Sequence, residues 1–430
     1  MANYRTCIVA ALLASALPTA ALAQDQAGDF AELKRELEAL KAEQAKANGR
    51  IAELEGALAR ANAGTQLSSP APAAQPASAL AAAPSAPSAK APSRLALSGD
   101  VRMRYESNFG DADAPDRNRL VLRARLRGSY AVSDWLSVGA QLATGDPNDP
   151  NTTDITLTGD DNKLMVSLDQ AYIRAKSNGF QLDLGRIAQP FVRTELVWDG
   201  DVSPQGAAAS YSSHLGANAN IKASAMYFMV DEAAAAPDSD MIGGQVGFDV
   251  TPSHDLKLEL TAGYYDYSLR SVAGADSGDF RSNILINGRY ASDFDLLDIV
   301  GAINYSGFGA KWPLRIVGDY VKNFGASSAE DSGLGVDVVL GRASKPHDLR
   351  FTYGYAQAET DAVLAAFSHD NTNIATNYRQ HTLGLDYTLT PNLILNATYY
   401  RYKPLHSLHA GTNDPNDWLN RLRLNALVNF

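Results

Sequence analysis

Arginines recur at alternate positions in three stretches of this 430-residue chain: Arg119, Arg123, Arg125 and Arg127; Arg102 and Arg104; Arg421 and Arg423. A guanidinium group is a fixed fork of donors that suits carboxylates and phosphates, so rows of them act on anions or screen passing solutes. In an extended strand, residues two apart share a face. The intervening residues are apolar, as in Leu120, Leu122, Ala124 and Leu126, or Leu422, Leu424, Ala426, Val428 and Phe430. If those apolar faces meet lipid, the arginines face an interior, with Val121 among them and Asp100 and Glu106 beside them. Turning such cations to lipid would cost ~2–4 kcal/mol each near the midplane, which favours the inward assignment. Two compatible roles follow: the guanidinium groups line a pore and act on anions, or they pair with loop carboxylates and brace the wall.

A candidate source of acidic groups opposite them is Gln189–Gln205, Q-P-F-V-R-T-E-L-V-W-D-G-D-V-S-P-Q. With Phe191, Leu196, Val197 and Trp198 it is too apolar to stay in solvent. The expectation is a constriction loop folded into the lumen, carrying Arg193, with Glu195, Asp199 and Asp201 facing the arginine wall. Opposed charges of that kind orient dipolar solutes and narrow the passage. Catalytic chemistry is not foreseen, because no G-x-S-x-G, H-E-x-x-H, Walker or GxGxxG-in-context motif is present. His406 and His409 have ligand-like spacing but read as a chance pair. Asp146, Asn148, Asp149, Asn151 and Asp154 form an oxygen-rich group that suits Ca²⁺ or simply a good turn. No metal site and no cofactor are expected.

The elements that must position these residues are strands. The C-terminal stretch Trp418–Phe430 alternates over a dozen residues, and nothing follows it to cover its apolar face, so lipid is the expected cover. A soluble sandwich strand is the rival reading. From Leu95 onward sixteen such segments can be counted, with fourteen and eighteen as the neighbouring counts. Tight connections (Ser133-Asp134, Ser177–Gly179, Thr251–His254, Ser344–His347, Thr390-Pro391) alternate with long polar ones such as Gly145–Asn162, Ser271–Asp295 and Gln357–Asn377. That parity fits an all-β transmembrane barrel of about sixteen antiparallel strands over 95–430, and a barrel that wide leaves a water-filled lumen. Ser282–Tyr290 is assigned to the fifth long loop, with a hairpin arm as the alternative. Tyr130, Trp135, Tyr305, Trp312, Tyr387, Tyr399 and Trp418, at strand ends, suit interfacial girdles.

Before the barrel, residues 1–23 read as a signal peptide with Arg5, an apolar run from Ile8 to Leu17 and an A-x-A site at 21–23. The only cysteine, Cys7, lies within it. Residues 24–62 carry a heptad pattern, with Phe30, Leu37, Gln44, Ile51 and Leu58 at a, and Leu33, Leu40, Ala47, Leu54 and Ala61 at d. They read as a periplasmic α-helical coiled coil about 48 Å long at ~1.5 Å per residue, or as an amphipathic helix lying on a surface. Residues 63–94 form an Ala/Pro/Ser-rich linker. A net charge of −11 argues against nucleic acid as a partner.

Several stretches carry a family likeness: L-D-Q-A-Y-I (168–173), L-G-R-I-A-Q-P-F (184–191), V-W-D-G-D-V-S-P-Q-G-A-A (197–208) and P-L-R-I-V-G-D-Y-V-K-N (313–323). Over 95–430 the chain resembles the putative porin family of proteobacteria. The resemblance implies an outer-membrane porin, a passive channel for small hydrophilic solutes, and porins of this size commonly form homotrimers. An anion preference would follow from the arginine wall. The terminal Phe430 resembles the signature that the barrel-assembly machinery reads in outer-membrane barrels. Outer-membrane lipids would surround the wall. The alternative is an envelope tether whose coil binds peptidoglycan or a periplasmic protein, with the barrel as anchor.

Overall fold

The computed structural model describes residues 94–111, 115–158, 163–271, 283–406 and 417–430. The expected signal peptide, coiled coil and all of the linker but Arg94 lie outside the described residues, as does His409. Within them the chain has no helix and forms a closed antiparallel barrel. Its staves are β1 Leu95–Phe109, β2 Arg117–Ala131, β3 Leu136–Thr144, β4 Val166–Ser177, β5 Phe180–Arg186, β6 Gln205–His214, β7 Ala219–Asp231 and β8 Ser239–Ser253. They continue with β9 Leu256–Ser268, β10 Phe294–Tyr305, β11 Leu314–Asn323, β12 Ser332–Gly341, β13 Leu349–Ala358, β14 Tyr378–Thr390, β15 Leu393–Pro404 and β16 Leu419–Asn429. The sixteen staves expected from the alternation are borne out, with ends shifted by a few residues.

Each stave pairs with the next, and β1 closes on β16 from Asp100↔Asn429 to Phe109↔Asn420. The Phe430 carbonyl accepts from Gly99 N at 2.8 Å, and Phe430 N donates to Gly99 O at 3.0 Å. Closure leaves no unpaired edge, as a lipid environment requires. Tight turns alternate with long loops around the barrel. At the turn after β4, Asn178 (φ 47°) and Gly179 (φ 82°) take the left-handed conformation that a two-residue hairpin needs. Within the fifth long loop, Leu285–Ile286 pairs with Arg289–Tyr290 across a similar Asn287-Gly288 turn. Leu285–Tyr290 is thus a small hairpin separate from the wall, and sixteen staves remain.

Alternation decides which way each side chain faces. Leu97, Val101, Met103, Tyr105, Leu120, Leu126, Ile242, Leu260, Leu383, Leu424 and Val428 are all exposed on the outside. Such a broad apolar surface has no favourable contact with water but matches lipid. Trp135 and Trp312 are exposed at the tight-turn end, where Trp312 stacks on Phe351 at 6.3 Å. The inner face is not uniformly polar. Met226 and Phe228 (β7), Met241 (β8), Tyr265 and Tyr267 (β9), Phe294 and Leu296 (β10) and Val321 (β11) are buried there as part of one hydrophobic cluster. Loops folded inside the barrel supply its other half.

Leu424 sits on the outer face at the middle of β16. Leu424→Arg should therefore cost ~2–4 kcal/mol of stability, read from urea unfolding midpoints in phospholipid vesicles. An unchanged midpoint would show that this face does not meet lipid.

Candidate functional site in the barrel lumen

Two loops meet inside the wall. In loop 187–204, Ile187, Phe191, Leu196, Val197, Trp198 and Val202 are buried; in loop 359–377, the run Ala362 to Phe367 is buried. Trp198 lies 5.6 Å from Tyr265 in an edge contact and stacks on Phe367 at 5.9 Å, while Phe367 meets Phe228 at 5.3 Å. Burial of these large rings is the main force holding the loops in. Polar contacts then fix their positions. Gln245 of β8 bonds Val192 twice, accepting from its N and donating to its O, both at 2.7 Å. Asp199 N donates to Phe367 O at 2.8 Å, joining the two loops. Asn283 Nδ2 donates to Thr360 O (2.9 Å) and Val363 O (3.0 Å), and its Oδ1 accepts from Ala365 N.

One side of the lumen is basic and sits at the closing seam. Glu106 of β1, wholly buried, accepts from Arg119 of β2 (2.6 Å) and Arg423 of β16 (2.8 Å), with Arg421 at 3.6 Å. Asp100 accepts from Arg123 (3.0 Å), Arg125 (2.9 Å) and Arg127 (3.3 Å). The rest of this network comes from loops. Asp154, in loop 145–165, pairs with Arg102 and, at 2.6 Å, with Arg104. Burial raises the Asp154 carboxyl, but Arg104 and Arg102 outweigh it and hold it below its usual range. Asp201 accepts from Arg125 at 2.8 Å and from Thr153 Oγ1 at 2.9 Å. Arg421 Nη1 donates to Asn371 O and Arg423 Nη1 to Asn371 Oδ1, both at 2.8 Å.

The other side is acidic. Asp298 (β10) and Asp319 (β11) are buried on the inner wall, and Asp337 (β12) follows them round the barrel. Tyr265 donates to Asp298 at 3.2 Å, and Thr194 donates to Asp319. Glu195 and Asp199 of loop 187–204 share a hydrogen bond. Burial, the neighbouring Glu195 charge and Asp370 push the Asp199 carboxyl well above its usual value. The Glu195 side chain itself is half exposed. Five carboxyl groups thus lie on this side with no ion pair to a strand arginine among the described residues; the Arg193–Glu195 contact at 3.5 Å lies within one loop.

Residues 110–287 match the family model described as a putative porin. Among solved structures, OprB of Pseudomonas putida aligns with a TM-score of 0.54 at 12% identity, covering 78% of this chain and 94% of that one. The trimer form of OmpT from Vibrio cholerae aligns at 0.47 and 13% identity, covering 78% and 99%. No curated protein matches the sequence. The chain carries a barrel of the porin fold. The family-model match holds three of the four stretches that carried the resemblance and leaves out 313–323. Two of the three touch inside the porin barrel. The register slips between Gln141 and Leu142, so consecutive Asp169 and Gln170 both reach Ser203 of loop 187–204, at 3.3 and 3.0 Å. A β-bulge puts two adjacent side chains on one face, which explains why that motif departs from alternation.

Several expectations need correction. Arg104, Arg421 and Arg423 do not line open water, because Asp154 and loop 359–377 cover them and leave each at most 5% exposed. Arg102, Arg119, Arg123, Arg125 and Arg127 keep more contact with the lumen, and each of these eight guanidinium groups has an acceptor among the loops and wall. Of Glu195, Asp199 and Asp201, only Asp201 reaches an arginine of the wall. Arg193 turns back onto its own loop, donating to Trp198 O at 3.0 Å. The oxygen-rich group in loop 145–165 does not converge: Asp154 faces the arginines, Asn151 Nδ2 donates to Ser368 O at 2.7 Å, and Asp146 accepts from Asn148 N as a turn residue does. Loop 359–377 and the acidic staves escaped the sequence reading, although the run D-A-V-L-A-A-F carries the same apolar signal as Gln189–Gln205.

Two predictions follow from these contacts. Glu106→Gln leaves buried guanidinium groups without their shared anion and should cost roughly 3–5 kcal/mol. Arg127→Gln, at a side chain 41% exposed, should cost under ~1 kcal/mol; equal losses in urea unfolding would contradict the placement of both residues. For Asp199 the sign is opposite to that of a salt-bridged acid. Its folded-state pKa lies above the unfolded 3.8, so the folded chain binds the extra proton and loses stability as pH rises above about 3.8. Asp199→Asn keeps a donor for Glu195 and an acceptor for Asp201 N. It should leave the barrel as stable or more stable at pH 7 and flatten that decline in melting temperature against pH; a steeper decline would refute the assignment.

Proposed function

We propose that this porin barrel is a passive diffusion channel for small hydrophilic solutes in the outer membrane, with an anion preference along its arginine side. The carrying observation is that charged groups on the inner wall and its loops stay wet: Arg127 and Arg315 are each 41% exposed, Arg350 43% and Glu195 50%. Charge of this kind facing a lumen conducts water and ions rather than packing a core. On the seam side, eight arginines outnumber Asp100, Glu106, Asp154 and Asp201, so an excess of positive charge remains to attract anions. The acidic staves opposite make the field run across the passage, which orients dipolar solutes as they pass. A homotrimer, supported by the heptad pattern of residues 24–62, belongs to the same proposal.

Reconstitution of the full chain in planar bilayers tests this reading. Conductance should appear in steps grouped by three, with a reversal potential in a KCl gradient shifted toward chloride. The double change Arg123→Gln and Arg125→Gln should move that potential toward potassium by a factor of about 2–5 in permeability ratio, in keeping with loss of partly screened charges. Electrically silent protein with an intact barrel would overturn the channel reading, and potassium selectivity in the unchanged chain would overturn the anion preference.

A further inference from the structure

The lumen holds a cavity of about 210 Å³, walled by β11–β15 and the two inward loops and reaching the arginine cluster only at Asn371 and Tyr400. That is smaller than the ~300–1,000 Å³ of pockets for drug-sized ligands, so its occupant is a small solute. Three carboxyl groups border it: Asp319, Asp337 and Glu195. Asp319 is 6% exposed; Thr194 donates to its Oδ2, and it shares a hydrogen bond with the adjacent Asp298. Gln380, 7% exposed on the same cavity, gives its Nε2 to Thr382 Oγ1 at 3.1 Å and leaves Oε1 without a donor. Asp337 makes no hydrogen bond or ion pair among the described residues. It has room because its ladder partner is Gly354, where a Cβ would lie 2.5 Å from the Asp337 Oδ1.

Buried acceptors without donors, such as Gln380 Oε1, are costly, and carboxyl groups gathered round one cavity, such as Asp337 and Glu195, repel unless a cation or a shared proton lies between them. The unmet need at this site is for donors and positive charge together. Among the described residues no three carboxylate or imidazole groups converge as ligands to a metal ion. Acceptors spread round a cavity instead suit a cation with several N–H donors and a body of its own. Tyr355 and Tyr378 add aromatic surface against which an alkylammonium group is at home.

We propose that this cavity is a binding subsite for small organic ammonium ions, with Asp337 and Glu195 as the accessible carboxylates and Gln380 Oε1 supplying the buried acceptor. The carboxyl groups lie on β11, β12 and loop 187–204, while Asn371 and Tyr400 at the other end of the cavity touch Arg423, so a solute carrying both charges would turn its anionic end toward that arginine. The inference rests on solutes entering the lumen, as the channel reading holds, and binding can be measured apart from conduction.

Isothermal titration of the full chain, folded in detergent micelles, with 1,4-diaminobutane against its uncharged analogue 1,4-butanediol reads the subsite directly. Planar-bilayer conductance of the same preparation in KCl reads the channel. The diamine should bind and the diol should not. Asp337→Asn should weaken diamine binding roughly tenfold or more, the effect of losing one charge-assisted hydrogen bond, with conductance retained. Glu195→Gln, at a second exposed position, should act in the same direction. A conducting chain that takes up no diamine overturns the subsite, as do two variants that both bind it as tightly as the unchanged chain. Binding by an electrically silent chain supports the subsite and contradicts the channel reading.

Discussion

Closure of this barrel and the placing of its inward loops depend on the ion cluster at the closing seam. Glu106 of β1 holds Arg119 of β2 and Arg423 of β16, and so ties the first, second and last staves through one buried carboxylate. The pairing is a register device as much as a contact. Slipping β16 by one residue against β1 would turn Arg421 and Arg423 toward lipid and Leu422 and Leu424 inward, an exchange the membrane penalises by several kcal/mol. Such clusters are poor sources of net stability, since desolvation offsets most of the attraction, yet breaking one is expensive. The guanidinium groups of this seam also hold the loops: Arg421 and Arg423 bind Asn371, Arg104 binds Asp154 and Arg125 binds Asp201. Three different loops are thereby anchored to one wall.

The opposite half of the interior is held by different physics. There the barrel has a hydrophobic core of its own, formed where Trp198 and Phe367 enter between Phe228, Tyr265 and Tyr267. Loops tied by charge on one flank and by apolar burial on the other cannot swing out without losing both. What remains between them is a polarised passage, with excess guanidinium on one side and carboxyl groups on the other. Solute choice in such a passage depends on what the loops leave open, and the wall alone does not determine it.

The strands were legible because lipid enforces alternation. In β2 and β16 the arginines occupy one face and leucines the other, so facing and count could both be read from residue order. Alternation failed where the lumen is not watery. In β10, Phe294, Leu296, Val300 and Ala302 face inward around Asp298, while Leu297, Ile299 and Ile303 face out; with both faces apolar, sequence cannot say which meets lipid, and the acidic stave goes unnoticed. The inward fold of loop 187–204 was readable from Trp198 and its apolar neighbours. The partners of its acids were not, since those depend on loops 145–165 and 359–377, remote in sequence. Asp199 was expected to face arginine and instead lies against Glu195, a contact set by the turn within its own loop.

Locking of loop 187–204 inside the wall underlies both the passage and its charge pattern, and tryptophan fluorescence tests it most directly. The chain has four tryptophans. Replacing Trp135, Trp312 and Trp418 by Phe leaves only Trp198, which is 0% exposed. In vesicles its emission should be blue-shifted and resist quenching both by aqueous acrylamide and by lipids brominated on their acyl chains. Ready quenching by acrylamide with red-shifted emission would place the loop in solvent and contradict an inward, locked loop.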